Sequence, residues 1–175
     1  MMSNVEQKLS ALVESRIVLM DGAMGTMVQT YGLSESDFRS DRFKDHPVDL
    51  KGNNDLLCLT RPDVVREIHD KFLEAGADII ETNTFNGNSI SQKDYQTEGL
   101  ASEIGRKAAE IARQAVDDVM AREPGRTCFV AGSLGPTNVT ASLSPDVNDA
   151  SARNVTFDQL VDTYHEQTIS LMEGG

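Results

Sequence analysis

The chain has 175 residues, 39% hydrophobic and 25% charged, a balance that suits one soluble globular domain and excludes wholesale disorder. A formal net charge of -12, with no Lys/Arg cluster to offset it, excludes the basic footprint of a nucleic-acid binder and points to small-molecule or protein ligands. The polar N-terminus lacks a signal-peptide core, and no apolar run approaches the roughly 18 residues of a membrane span, so a cytoplasmic protein is expected.

In chain order, Ser3 and Glu6 form a capping box, and Val5, Leu9, Leu12 and Val13 recur at helical spacing. A short amphipathic helix is predicted there, covering an end or face of a sheet. Ile17-Val-Leu-Met20 follows as a continuous apolar run, the pattern of a parallel strand buried on both faces. From Gly32 to Leu59 the sequence is polar and aperiodic and reads as a long loop. Thr60 with Asp63 and Pro62 predicts the start of a helix whose apolar stripe is Val64, Val65, Ile68, Phe72 and Leu73, closed by Gly76.

A second strand is predicted over Asp78-Ile-Ile-Glu81. A helix follows over about Leu100 to Ala121, with the stripe Ile104, Ala108, Ile111, Ala115 and Val119, ended by Glu123-Pro-Gly125. The third strand is Cys128-Phe-Val-Ala131. A loop rich in Pro, Asn and Ser runs from Ser133 to Asn154, and Thr156 with Gln159 caps a last helix. That helix closes on Leu171-Met-Glu-Gly-Gly175, the counterpart of the Phe72-Leu-Glu-Ala-Gly76 that precedes the second strand. The comparison places the end of the chain where a fourth strand should begin. Residues 1–175 thus read as one incomplete domain of about three βα units plus an N-terminal helix.

Connections into strands are short, whereas those leaving them exceed the 12 to 15 residues at which structureless loops become uncommon. Right-handed parallel units put all strand carboxyl ends on one side, so Asp21, Glu81 and Ser133 should converge there. Asp21 and Glu81 could hold a ligand amine or act in acid–base chemistry. Gly22, Gly25 and Thr26 offer backbone N–H groups able to cradle a carboxylate or phosphate oxygen, although the same glycines would serve a tight turn. Thr82, Asn83 and Thr84 suit a polar ligand, and suit loop backbone groups equally.

Cys58 and Cys128, in apolar settings without CxxC or CxxH spacing, read as buried free thiols. His46, His69 and His165 show no metal-ligand spacing, and His69 and His165 read as surface or satisfied helix residues.

Met20-Asp-Gly-Ala-Met-Gly-Thr26, Asp49-Leu-Lys-Gly-Asn-Asn-Asp55, Glu74-Ala-Gly-Ala-Asp-Ile-Ile-Glu-Thr-Asn-Thr-Phe85, Gly135-Pro-Thr-Asn138 and Ser144-Pro-Asp-Val-Asn-Asp149 together resemble the homocysteine S-methyltransferases. The second and last of these resemble the N-terminal homocysteine-binding module of the cobalamin-dependent methionine synthases. The resemblance spans about Ser10 to Gly175. It implies a (β/α)8 TIM barrel that binds homocysteine at the carboxyl ends of parallel strands and holds the thiol on zinc through three cysteines. It also implies a methyl group delivered by methylcobalamin, which methyltetrahydrofolate recharges from a neighbouring module.

By the same resemblance Asp21, Gly22, Gly25 and Thr26 would hold the amino-acid end of homocysteine, and Glu81, Asn83 and Thr84 would line that pocket. The family's zinc ligands are a lone Cys and an adjacent Cys-Cys pair in the later half of the barrel. Neither Cys58 nor Cys128 matches those positions, so no catalytic residue, metal ligand or bound cofactor is expected in this chain, which alone should be inactive. Two alternatives stand beside this reading: betaine or S-methylmethionine as methyl donor, and a non-catalytic association module whose open sheet edge drives self-association.

Overall fold

The computed structural model describes residues 3–175. Helix α1 (Asn4–Ser15) opens on the expected capping box: the Glu6 amide donates to Ser3 Oγ (3.2 Å) and the Ser3 amide to Glu6 Oε2 (3.3 Å). It covers no sheet, however. None of its residues is buried, and Val5 and Val13 face solvent.

The chain enters the sheet through charge rather than packing. Arg16 donates both terminal nitrogens to Asp78 (2.6 Å each), and the same carboxylate accepts the Leu19 amide (3.0 Å). The Leu19 carbonyl then accepts the amides of Asp78 and Ile79, and the Asp21 amide donates to the Ile79 carbonyl (2.9 Å). Met20 thereby makes a single parallel bridge to Ile79 rather than a full strand. The expected burial on both faces does not occur: Ile17 is 84% exposed and Leu19 and Met20 about half so. This segment is an edge, which an apolar run cannot reveal because the run is the same whether or not a neighbour covers it.

Strand β1 (Ile79–Glu81) pairs in parallel with β2 (Phe129–Ala131), in the register Ile79 to Phe129 and Glu81 to Ala131. The Met20 segment, β1 and β2 therefore lie side by side with their carboxyl ends together, as the alternation of strands and helices predicts. Helices α5 (Pro62–Glu74), α6 (Ala101–Arg122) and α7 (Phe157–Gly174) pack behind them. The α6 stripe Ile104, Ala108, Ile111, Ala115 and Val119 is buried throughout. It divides between one cluster against Leu56, Val65 and Ile68 and another against Leu73, Ile80 and Cys128. Gly76, at φ +102°, takes the left-handed turn that ends α5 and starts the approach to β1.

Two readings of the elements are corrected. The span from Gly32 to Leu59 holds helices α3 (Glu35–Arg39) and α4 (Leu57–Thr60) and a 3-10 turn at Asn54–Leu56. Polar fasteners do there what periodicity does elsewhere. Glu35 accepts the amides of Leu50 and Lys51, and Arg39 donates to the carbonyls of His46 and Val48. Thr60 does not cap α5; its hydroxyl turns back to the Leu56 carbonyl (3.4 Å), and Arg61 holds the cap position ahead of Pro62. Elsewhere the caps follow expectation, as at α7, where the Thr156–Gln159 box is complete.

His165 is exposed, as expected, but His69 is not. It is fully buried on α5 and both ring nitrogens lack a partner. Burial pushes its pKa down to about 4, against a smaller opposing pull from Asp70. Among the described residues, no helix is long and apolar enough to cross a membrane.

Candidate functional site

The three strand ends meet as their polarity predicts. Asp21, Glu81 and Ser133 line one cleft of about 350 Å³, together with Gly22 to Gly25, Asn54, Asp55, Thr82, Asn83, Phe85 and Asn86. No Lys, Arg or His is among these lining residues. The first wall is the turn after Met20. Ala23 adopts the left-handed conformation (φ 55°), and helix α2 (Met24–Thr30) begins at the next residue. Gly25 and Thr26 thus sit in the first turn of a short helix rather than in a flexible loop, and such first-turn amides lack intrahelical acceptors.

Asp21 closes this wall onto the second strand, where its Oδ1 accepts the Glu81 amide at 2.8 Å. Burial raises its pKa to about 6; the Glu81 amide opposes that rise and the Glu81 charge adds to it. The second wall is Asn54 and Asp55. The Asp55 carboxylate is 3% exposed and its Oδ1 accepts the Asn86 amide (2.8 Å). Burial lifts this group to about 6 as well, with the Asn86 amide working against the shift. An ammonium group entering the cleft would therefore meet carboxylates poorly compensated by the protein itself.

The third wall, residues 81–86, is held by amides. Asn83 Nδ2 donates to the Asn54 carbonyl (2.7 Å) and approaches Cys58 Sγ (3.6 Å). Asn53 and Gln92, both buried, exchange a reciprocal pair: Asn53 Nδ2 to Gln92 Oε1 at 2.8 Å and Gln92 Nε2 to Asn53 Oδ1 at 3.1 Å. Gln92 also donates to the Asn86 carbonyl (3.0 Å), and Thr97 donates to Gln92 Oε1 (2.7 Å). The Asn53-Asn54-Asp55 segment is thereby fastened to the loop after β1.

Of the residues expected to touch ligand, Asp21, Gly22, Gly25, Glu81 and Asn83 line the cleft, while Thr26 and Thr84 lie outside its lining. Thr26 is exposed. Thr84 is fully buried: its Oγ1 is 2.6 Å from Thr82 Oγ1 and donates to the Ser133 carbonyl (2.8 Å). It joins the second and third strand ends from beneath. The residue that the sequence reading missed is Asp55. Its only signal was its place after two asparagines in a motif already noted.

Both cysteines are free and buried. Burial raises each thiol pKa; Cys58 sits under Asn83, and Cys128 faces the Ala77 carbonyl (3.9 Å). Among the described residues, no group of three or more His, Cys, Asp or Glu side chains stands together as a metal-ligand set. The donors present do not fit a zinc ion, whose sites take three or four such ligands.

A parallel run of βα units with a polar cleft at the strand carboxyl ends defines part of an α/β barrel of the kind that binds small molecules at that face. The sequence model of the homocysteine S-methyltransferase family matches residues 18–175, and the chain belongs to that family. Its fold is similar to that of solved structures of the homocysteine methyltransferase MmuM from Escherichia coli. The oxidized form matches with a TM-score of 0.70 and 22% identity over 95% of this chain and 53% of that one. The metallated form gives 0.67 and 22% over 95% and 54%. The apo form gives 0.61 and 21% over 95% and 49%. The chain thus spans about half the length of these proteins.

Proposed function

We propose that this chain is the first part of the homocysteine-binding barrel of a cytoplasmic, cobalamin-dependent methionine synthase, and that its cleft holds the amino-acid end of homocysteine. The observation that carries the reading is the convergence of Asp21, Asp55 and Glu81 in a cleft with no basic side chain in its lining. An α-ammonium would neutralise carboxylates that burial leaves strained, and the first-turn amides after Ala23 would face the α-carboxylate. Phe85, 57% exposed at the cleft, would cover the side-chain methylenes.

Zinc in the parent protein would favour the thiolate, and its ligands would come from outside this chain. Methylcobalamin, recharged by methyltetrahydrofolate on neighbouring modules, would supply the methyl group. The cobalamin reading over betaine or S-methylmethionine rests on the resemblance of the Asp49–Asp55 and Ser144–Asp149 segments to that branch.

The test uses the complete protein that carries this module. Methionine should form from homocysteine with methyltetrahydrofolate only when cobalamin is present. Turnover with betaine or S-methylmethionine alone would reject the donor assignment. Asp21→Asn and Glu81→Gln should each weaken homocysteine binding by about tenfold or more, the usual cost of losing a charge-assisted hydrogen bond. Unchanged binding in both would reject the cleft.

A further inference from the structure

Helix α7 reaches the cleft without lining it. Gln167, one side of α7 and 1% exposed, donates Nε2 to the Thr84 carbonyl (2.8 Å) and, more distantly, to the Ser133 carbonyl (3.5 Å). One turn earlier, Tyr164 donates its hydroxyl to the Gly135 carbonyl (3.0 Å). Thr84 precedes the cleft residue Phe85 in the loop after β1, and Ser133, itself a cleft residue, lies with Gly135 in the loop after β2. Gly135 itself lies so close to the Phe85 backbone that any side chain there would strike it.

From this geometry we infer that Gln167 is a positioning residue for the ligand cleft, tying the second and third strand-end loops to one helix and thereby fixing Phe85 and Ser133. The physical argument is one of accounting. Strand pairing ends at Glu81 and Ala131, so beyond them the two loops have no ladder to hold their relative height. Thr84 Oγ1 supplies one cross-link, to the Ser133 carbonyl, and Ser133 returns its amide to Thr82 Oγ1 (2.9 Å). Both links lie between the loops, and the fasteners at Asn83 and Asn86 tie the first loop to the Asn54–Asp55 segment rather than to α7. Gln167 and Tyr164 are the α7 side chains that refer them to the helical layer, and the buried Gln167 does so as a second donor to the Thr84 carbonyl, beside the Gly87 amide (3.0 Å).

A homocysteine role for Gln167 rests on the function proposed above, so the test has one arm independent of it. In this chain, Gln167→Met should speed amide hydrogen exchange at residues 82–86 and 133–135 by about tenfold or more, since local opening there loses its buried anchor. Glu166→Ala is the control: it removes the neighbouring exposed side chain of α7, which accepts from the Ser102 hydroxyl (2.6 Å), and should leave those amides within about twofold.

In the complete enzyme, Gln167→Met should raise KM for homocysteine about tenfold with kcat nearly unchanged, a small displacement being enough for that. Gln167→Glu supplies the conservative rescue, since its protonated acid can still donate: loop protection should return on acidification and be lost as the acid ionises. Equal effects of Q167M and E166A, unchanged loop exchange, or loosened loops with unchanged KM would each overturn the inference. Loosened loops in an enzyme that never binds homocysteine would support the positioning role and reject the homocysteine function instead.

Discussion

Asp55 and His69 should pull the stability of this protein in opposite directions over the same pH range, and removing either should expose the other. Asp55 is held near a pKa of 6 against an ordinary 3.8. Its raised value means that folding is unpenalised while the acid is protonated, and that stability is lost as pH rises from about 4 through 6. His69 is held near 4 against an ordinary 6.5. Its lowered value means that the full contribution is present above 6.5 and is lost as pH falls toward 4.

Each displacement is a little over two units, or about 3 kcal/mol at full effect, of which about 1.5 kcal/mol develops between about pH 5 and about pH 7. Asp21, raised to about 6 as well, works on the Asp55 side, so the native protein should lose stability gently across that window. Asp55→Asn keeps an acceptor for the Asn86 amide and removes the ionisation, so relative to the native its stability should gain about 1.5 kcal/mol across the window. His69→Phe keeps a ring and removes the titration, so relative to the native its stability should lose a similar amount across the window. Urea unfolding followed by circular dichroism at half-unit pH steps reads both slopes. An Asp55→Asn slope no more positive than the native one, a His69→Phe slope no more negative, or an Asp55→Asn protein less stable than the native at neutral pH would refute the reasoning. The carboxylates held low by arginines, such as Asp63, Asp78 and Glu103, act below this window because their contributions are lost only as pH falls through the ordinary acid range.

Ala23→Gly should stabilise the fold by about 0.5 to 1 kcal/mol, since alanine at φ 55° carries a left-handed penalty that glycine does not; thermal unfolding at neutral pH measures it, and a lower midpoint would contradict it. Asn53→Ala should cost about 2 to 3 kcal/mol in urea unfolding, because it removes both bonds of the reciprocal pair from the buried Gln92. A cost below about 0.5 kcal/mol would mean that the pair is not an anchor. On the function proposed above, Gly135→Ala in the complete protein should raise the KM for homocysteine with kcat kept, because the new side chain strikes the Phe85 backbone; an unchanged KM would detach that loop from the cleft.

The helices were legible because their signals are local. The capping boxes at Ser3 and Thr156 and the small-residue stripe of α6 each name an element without reference to anything distant. The convergence of Asp21, Glu81 and Ser133 was also legible, because the handedness of parallel units leaves them one side to occupy. What failed depended on tertiary context. Ile17 to Met20 has a buried strand's composition but sits at an edge. His69 sits on the α5 face that packs inward, beside Ile68, where the apolar periodicity already pointed and its polarity argued otherwise. The segment before α5 has no hydrophobic period at all, and its helices are held by Glu35 and Arg39 reaching to backbone groups ten or so residues away. Asp55 was passed over for the same reason, since nothing local distinguishes a buried carboxylate from the solvated ones around it.

The division of labour in the fold explains why the cleft can tolerate such carboxylates. Behind the sheet, α5 and α6 bury aliphatic side chains in two contiguous clusters, a source of stability that depends on area and not on direction. At the strand ends the contacts change character: Asn53 with Gln92, Thr82 with Thr84, Asn83 with the Asn54 carbonyl and Gln167 with Thr84 are all directional. A hydrogen-bonded frame adds little net stability, yet it fixes positions, because each buried partner is costly to strand. Apolar packing in that place would have desolvated Asp21 and Asp55 further and driven them to their neutral forms, which bind an ammonium poorly. An amide frame leaves them on the margin instead, buried enough for their pKa values to rise to about 6 and polar enough to ionise above it.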